Sequence, residues 1–352
     1  MRYQNVRIDS FAYNLPDEIV SSEEIERRLA PLYGRLGLRE GRLELMSGIK
    51  ERRFFPAGTL PGPTSCETAR QALEASSISA EQVGCLIHAS VCRDYMEPAT
   101  ACRVHHELGL PEDATLFDLS NACLGFMNAM TQIANMIELG QIEAGLVVST
   151  ESSRDLVEAT IDLLNRDESL KRNDIKDAFA SLTIGSASVA AVLTHQRLSP
   201  TGPRLLGGAY RSATAHHALC RGGPDASLGE SRPLMKTDSE TMLVAGCDLA
   251  RETWEKFRRE MHWADDVPER FFAHQVGSAH RRRLCELLKL DPDKDLTTLE
   301  WLGNTGSAAL PTTTALAIEQ GFLRPGDRFA MLGIGSGLTC MMLAGEMSPS
   351  HA

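Results

Sequence analysis

The sequence predicts an α/β protein built from two similar halves. Three observations carry this: apolar β-rich runs alternate with helical patterns, the chain is long for one core, and a weak repeat relates residues 181 positions apart. The 352 residues exceed the roughly 250–300 beyond which a single core stops growing. A division into residues 1–195 and 196–352 is therefore expected.

Val83 to Val91, Thr115 to Leu119, Gly145 to Thr150 and Ser186 to Leu193 read as strands, being apolar and β-rich over strand lengths. Ser65 to Ala75 and Leu124 to Leu139 have helical spacing, and the second is apolar nearly all round, which predicts a buried helix. Arg166 to Asp177 is a charged insertion, read as a surface helix or loop. Tyr210 to Ser239 is rich in Gly, Pro, His and Ser and reads as irregular structure, either a substrate wall or a plain surface excursion.

The repeat begins with Phe117-Asp-Leu-Ser-Asn-Ala-Cys123, continues through a helix ending Ile137-Glu-Leu-Gly140 and closes on the strand Gly145 to Thr150. Its second copy runs Leu299-Glu-Trp-Leu-Gly-Asn304, a small-residue helix ending Ile318-Glu-Gln-Gly321, and the strand Arg328 to Leu332. Gly140 and Gly321 are 181 positions apart, and that offset carries Cys123 onto Asn304. Upstream, Cys85-Leu-Ile-His-Ala-Ser90 and Phe271-Phe-Ala-His274 correspond at a similar offset. Duplicated halves related by a pseudo-twofold axis would bring these junctions together.

Composition narrows the function classes. Apolar residues at 43% and charged residues at 24% exclude the disordered and membrane classes. A net charge of −11 repels polyanions, so nucleic acid is an unexpected partner. Arg281, Arg282 and Arg283 form the one tight basic cluster that could meet a CoA nucleotide or an acidic carrier protein, and a solvated helix face is the blander account of it. The polar start, Met1 to Ser10, has no secretory apolar region, and the longest nearly apolar run, Phe329 to Gly345, is broken by four glycines. A cytoplasmic protein without a membrane span is expected. Nine cysteines with no C-x-x-C pair fit neither a disulfide framework nor a structural zinc site, so no metal is expected and most thiols should be buried and reduced.

Cys123 lies in Ser120-Asn-Ala-Cys-Leu-Gly125, between a strand and a buried helix. There the helix dipole favours a thiolate, and exposed N–H groups could bind an oxyanion. One cysteine among nine is more often an inert core thiol, and only the surrounding pattern lifts this one. His274, in Ala273-His-Gln-Val-Gly277, follows a strand and precedes the helix with the three arginines, where α/β folds place reactive groups. A hydrogen-bonded structural histidine is the alternative. Asn304, in Gly303-Asn-Thr-Gly-Ser-Ala-Ala-Leu-Pro311, stands at the repeat's second helix, where it could equally be an N-cap. Gly333-Ile-Gly-Ser-Gly337 lacks the ending of a phosphate loop, and its flexible glycines suit the approach of a backbone N–H, that of Ser336, to a reacting carbonyl.

These motifs resemble the thiolase superfamily, specifically the ketoacyl synthase III-like condensing enzymes. They are Asn121-Ala-Cys123-Leu-Gly-Phe, His274-Gln-Val-Gly277, Gly303-Asn304-Thr-Gly-Ser-Ala-Ala-Leu-Pro311 and Gly326-Asp-Arg-Phe-Ala-Met-Leu-Gly-Ile-Gly-Ser-Gly337, in order over nearly the whole chain. The resemblance implies a thiolase fold, two pseudo-symmetric halves in five αβαβα layers, and a homodimer. It implies that Cys123 carries the acyl group in a Claisen condensation and that His274 and Asn304 bind the second thioester's carbonyl. The N–H groups of Cys123 and Ser336 would form the oxyanion hole. No cofactor is expected, with CoA or phosphopantetheine thioesters as substrates and an acyl carrier protein as a further candidate partner.

Within that family, Ser90-Val-Cys-Arg-Asp-Tyr-Met-Glu97-Pro98 looks like the corresponding stretch of the enzymes that join two fatty acyl-CoA chains at the start of long-chain olefin biosynthesis. The resemblance makes Glu97 a base acting in the partner subunit's site. Decarboxylating a malonyl donor yields the enolate without a base, whereas joining two simple acyl thioesters requires removal of an α-proton. Glu97 as an inert loop carboxylate is the alternative. Val276 and Gly277 depart from the usual ketoacyl synthase III pattern of His-Gln-Ala-Asn, which weighs against the malonyl reaction. Non-decarboxylative condensation is thus the first reading, and a malonyl-dependent 3-oxoacyl-carrier-protein synthase the second. The order Cys, His, Asn also fits a papain-like hydrolase, but neither that family's cysteine signature nor a secretory start is present. A non-catalytic binding protein is disfavoured by the presence of all three groups.

Overall fold

In a computed structural model, residues 1–172, 175–224, 233–264 and 267–349 are described. The strands are β1 (Val6–Asn14), β2 (Glu18–Ser21), β3 (Glu51–Phe54), β4 (Cys85–His88), β5 (Thr115–Asp118), β6 (Ala144–Glu151), β7 (Ala187–His195), β8 (Arg204–Ser212), β9 (Cys220–Pro224), β10 (Pro233–Thr237), β11 (Arg270–Ala273), β12 (Arg328–Gly335) and β13 (Thr339–Glu346). The α-helices are α1 (Ser22–Arg28), α2 (Ala30–Leu36), α3 (Arg42–Ser47), α4 (Pro61–Glu74), α5 (Thr100–Leu108), α6 (Gly125–Glu138), α7 (Arg154–Arg166), α8 (Lys176–Phe179), α9 (Ser239–Met261), α10 (Ser278–Leu288), α11 (Leu299–Leu302) and α12 (Ala309–Glu319). None is long and apolar enough to cross a membrane.

Nine strands follow one another in the order β11-β12-β13-β8-β1-β7-β6-β4-β5. The junction between β8 and β1 is a single residue pair, Arg7 with Arg204, so two groups of strands meet at a seam. Each side of the seam repeats the other. Outward from β1, two antiparallel pairings lead through β7 to β6, and parallel pairings then add β4 and β5. Outward from β8, two antiparallel pairings lead through β13 to β12, and a parallel pairing adds β11. Where the first half has β5, the second has only an isolated parallel bridge from Phe271 to Asp295.

Alternation along the strands sorts their side chains into layers, because successive residues face opposite sides of a sheet. Val147, Val189, Ala191, Phe329, Met331, Met341 and Leu343 share one core with Phe126, Met130 and Ile133 of α6 and Leu310 and Ala317 of α12. Residues one step out of phase, Leu146, Val148, Ala190 and Val192, pack instead with Ala69 of α4 and Val104 of α5. In the second half Ala330, Leu332, Cys340 and Met342 pack with Trp254 and Phe257 of α9 and Leu284 of α10. The result is helix, sheet, paired helices, sheet, helix: the five-layer thiolase arrangement, with α6 and α12 in the middle. The apolar, small-residue character of both helices is what permits burial on two sides.

Several elements differ from the sequence reading. β4 ends at His88, so Ala89 to Ala99 is a loop. The helix read from Ser65 begins earlier, at Pro61, where a proline in the first turn needs no N–H partner. Leu299–Leu302, matched in the repeat to a strand, is a short helix. The stretch read as irregular from Tyr210 contains the end of β8 and the β9–β10 hairpin; its residues 225–232 lie outside the described residues. Its glycines concealed the strand pattern. In the charged insertion, α7 ends at Arg166 and α8 begins at Lys176, with 173–174 outside the described residues.

Candidate active site

Cys123 sits in the tight connection from β5 to α6, two residues before the helix begins. The preceding Ala122 has φ +45°, an uncommon left-handed conformation for a residue with a side chain. Leu124 donates its N–H to the Asn121 carbonyl (3.0 Å), closing the turn. The sequence places the thiol beside a helix N-terminus, which favours a thiolate; burial overrides this. Desolvation pushes the Cys123 thiol up to about 12, with the Glu151 carboxylate and Cys220 acting in the same direction. At rest the group is a neutral thiol.

His274 is one residue past β11, and its N–H extends the parallel ladder by donating to the Leu332 carbonyl (2.9 Å). Its ring is buried, and desolvation, followed by the nearby His280, depresses it to about 3. No described residue bonds to either ring nitrogen. The imidazole is therefore neutral and available to a substrate oxygen. Gln275 locks the segment: its Oε1 accepts the N–H groups of Thr298 (2.8 Å) and Leu299 (2.7 Å), while its Nε2 donates to the Leu296 carbonyl (2.9 Å). The histidine loop is thereby tied to the chain leading into Asn304.

Asn304 is not the cap of α12, which starts five residues later. Its backbone pairs with the first half instead: its N–H donates to Thr183 and its carbonyl accepts from Gly185, both at 3.0 Å. Two glycines permit this approach. A Cβ on Gly185 would lie 2.0 Å from the Leu302 carbonyl oxygen, and Gly303 has φ +67° with Thr183 oxygen 2.7 Å from its Cβ position. The Asn304 Oδ1 accepts the Gly306 N–H at 3.0 Å, which leaves the amide NH2 as the donor for a ligand.

The end of β12 joins these positions. A Cβ on Gly335 would stand 3.5 Å from the Cys123 nitrogen. Ser336 follows immediately in the turn from β12 to β13, while His274 is bonded to Leu332 three residues earlier on the same strand. Glu151, at the end of β6 and near enough to act on the Cys123 thiol, accepts the Ser307 hydroxyl at 2.7 Å, next to the Asn304 turn. Cys123, His274, Asn304 and Ser336 each lie at a strand end or a strand-to-helix connection, with Ser336 next to the glycine that approaches Cys123. Glu97 stands apart, exposed on the loop between β4 and α5 with exposed Tyr95 and Met96.

Sequence reasoning missed Glu151 and the anchoring part of Gln275. A carboxylate ending an otherwise apolar strand, Ala144–Glu151, was the available signal for the first. One member of the arginine cluster is committed elsewhere. Arg281 donates to the buried Asp295 at 2.7 Å and to the Pro292 carbonyl at 2.7 Å, leaving Arg282 and Arg283 exposed. All nine cysteines are unpaired, and five of them are buried.

These buried groups make stability depend on pH. Burial depresses His274 to about 3 and His280 to about 4, and depresses His88 beside Asp118 in the same direction. As pH falls below the ordinary histidine value of 6.5, the unfolded chain takes up protons that the folded chain refuses, so stability is lost. Asp295 opposes this, because burial raises its carboxyl to about 6 and it is protonated in the folded state first. Three histidines against one aspartate leave a net two protons, and the unfolding free energy should fall by about 3 kcal/mol per pH unit around pH 5. Urea midpoints measured at about pH 7 and about pH 5 check this, and equal midpoints would refute it.

Comparison with known proteins bears on both halves. Residues 65–195 match the thiolase N-terminal domain, and residues 260–346 match the C-terminal domain of 3-oxoacyl-[acyl-carrier-protein] synthase III. The chain is 43% identical to an acyl-CoA:acyl-CoA alkyltransferase of Shewanella oneidensis over 97% of its own length and 99% of the relative's. It is 36% identical to the protein of that name from Xanthomonas campestris, covering 97% and 98% of the two chains. A crystal structure of a variant of OleA from Xanthomonas campestris, with lauric acid and lauroyl-CoA bound, superposes with a TM-score of 0.92 at 35% identity, over 98% of this chain and 99% of the other.

Proposed function

The chain belongs to the acyl-CoA:acyl-CoA alkyltransferase family of the thiolase superfamily, and on that footing we propose that it joins two fatty acyl-CoA thioesters by a non-decarboxylative Claisen condensation. The observation that supports this reading at the site is a neutral imidazole with no partner among the described residues, together with an amide NH2 whose oxygen is already engaged.

In the first step the Cys123 sulfur attacks the thioester carbonyl, and the tetrahedral oxyanion is held by the N–H groups of Cys123 and Ser336. Because the thiol rests neutral, its proton must leave as the C–S bond forms, and it ends on the departing CoA sulfur. In the second step the carbonyl oxygen of another acyl-CoA lies between His274 and Asn304. Both donate to it as it becomes enolate-like. The partner subunit's Glu97 removes the α-proton, the carbanion attacks acyl-Cys123, the tetrahedral adduct collapses to expel the Cys123 thiolate, and the proton held by Glu97 is returned to that sulfur, restoring the neutral thiol and the carboxylate. A β-ketoacyl-CoA is the product. The reaction needs no cofactor or metal, since both steps use only donors and bases of the protein.

A homodimer is supported by the free outer edge of β5, where Phe117 is exposed, and by the exposed Val91, Tyr95 and Met96 close by in sequence to Glu97. The two halves, 1–195 with Cys123 and 196–352 with His274 and Asn304, form the site jointly. Nine unpaired thiols favour the cytoplasm. A malonyl thioester, on CoA or on a carrier protein, is the competing second substrate. Incubation with a single saturated acyl-CoA, with and without malonyl-CoA, distinguishes them by product mass. Product from acyl-CoA alone, without loss of CO2, is expected; product only with malonyl-CoA would overturn the reading.

A further inference from the structure

We propose that Glu151 is a positioning residue that ties the Asn304 turn of its own site to the start of the loop that carries Glu97 into the partner's site, so that oxyanion donors and base are set by one buried contact in each chain. The inference rests on the roles proposed above for Asn304 and Glu97.

Glu151 is 5% exposed. Four donors from two distant segments converge on its carboxylate. Oε1 accepts the Val91 N–H (3.0 Å), the Ser307 hydroxyl (2.7 Å) and, more weakly, the Ser307 N–H (3.4 Å), and Oε2 accepts the Cys92 N–H (3.2 Å). Val91 and Cys92 begin the loop that carries Glu97, and Ser307 is three residues beyond Asn304. Gly306, at φ +57°, lies so close that a Cβ would stand 3.3 Å from the Glu151 carboxyl carbon. Gly306 is also the residue whose N–H fixes the Asn304 amide. One carboxylate therefore bonds the Asn304 turn of its own site and the loop whose Glu97 serves the partner's site.

Behind it runs a row of buried hydroxyls. Ser307 Oγ lies 2.7 Å from Ser149 Oγ, which lies 3.2 Å from Ser90 Oγ, and Ser90 accepts the Thr150 N–H at 2.9 Å. The row gives the carboxylate a rigid base on β6. A buried carboxylate facing only donors is satisfied as an acceptor and is badly placed to take a substrate proton, so it fits a positioning part rather than that of the base. Its charge also opposes a thiolate at Cys123, so its removal should not slow acylation.

The test separates the half-reactions of wild type, Glu151→Gln and Ser307→Ala. Acylation is read by intact mass of the Cys123 adduct from one acyl-CoA, and condensation by the rate of β-ketoacyl product. In both variants acylation at the wild-type rate or faster is expected, with kcat for condensation down about 10- to 100-fold, the range that small misplacements of reacting groups produce. Condensation within about twofold of wild type, or acylation and condensation falling in step, would overturn the proposal. If Glu151→Gln does not fold, Ser307→Ala decides by the same readouts. Failure of wild type itself to form product from two acyl-CoAs refutes the proposed function instead, which keeps the two outcomes distinguishable.

Discussion

A Cys123→Ala variant is expected to lose β-ketoacyl product by roughly ten-thousand-fold and to carry no acyl adduct by intact mass. Two other thiols are ill suited to replace it, whereas Cys220, near enough to act on the Cys123 thiol, is the group that an adduct on the variant would point to. Cys92 is held with its sulfur 3.4 Å from the Ser152 carbonyl and is pushed well above the usual thiol range by burial and then by Glu151. Cys340 is buried in the second-half core and pushed up to about 12. The loss should be kinetic rather than structural, because the bond that closes the Cys123 turn is made by the backbone. An unchanged thermal midpoint with no adduct is the expected pair of results. Persistence of an adduct, or product at more than about a hundredth of the wild-type rate, would assign the acyl group to another residue.

The second large effect concerns Glu97. Glu97→Gln is expected to leave acylation of Cys123 intact while reducing condensation about 100- to 10,000-fold, the usual range for removing a general base. The exposure of Glu97 in its own chain fits the proposed action in a dimer partner's site. Mixing inactive Cys123→Ala and Glu97→Gln chains should then restore roughly a quarter of wild-type activity, because half of randomly formed twofold dimers are mixed and each has one complete site. No recovery on mixing, with subunit exchange verified, would place the base within one chain. Full condensation by Glu97→Gln would make Glu97 an inert loop carboxylate. Activity of that variant with malonyl-CoA alone would point to the decarboxylative reaction.

Much of the architecture was legible in the sequence because its signals are local. Strand and helix periodicity is set by neighbouring residues, and the matched strand–helix junctions around Cys123 and Asn304 survive as a repeat. The repeat misled at Leu299–Leu302, where the second half replaces a strand with a short helix and keeps only the Phe271–Asp295 bridge. It also concealed how Asn304 is held: its side-chain oxygen accepts the N–H of Gly306 in the 3-10 turn that precedes α12, and its backbone is set by Thr183 and Gly185, over a hundred residues away in sequence.

By itself the sequence determined the α/β class, the two halves, and the placing of Cys123, His274 and Asn304 near strand ends, because these follow from periodicity and turn chemistry along a short stretch of chain. Tertiary structure alone decided the state and the partners of those groups. Burial, not the neighbouring helix, sets the Cys123 thiol at about 12 and the His274 imidazole at about 3. Asp295 removes Arg281 from the basic cluster, and Glu151 draws together Val91, Cys92 and Ser307 from opposite halves. Desolvation and convergence depend on what packs around a group from distant parts of the chain, and no local pattern encodes them.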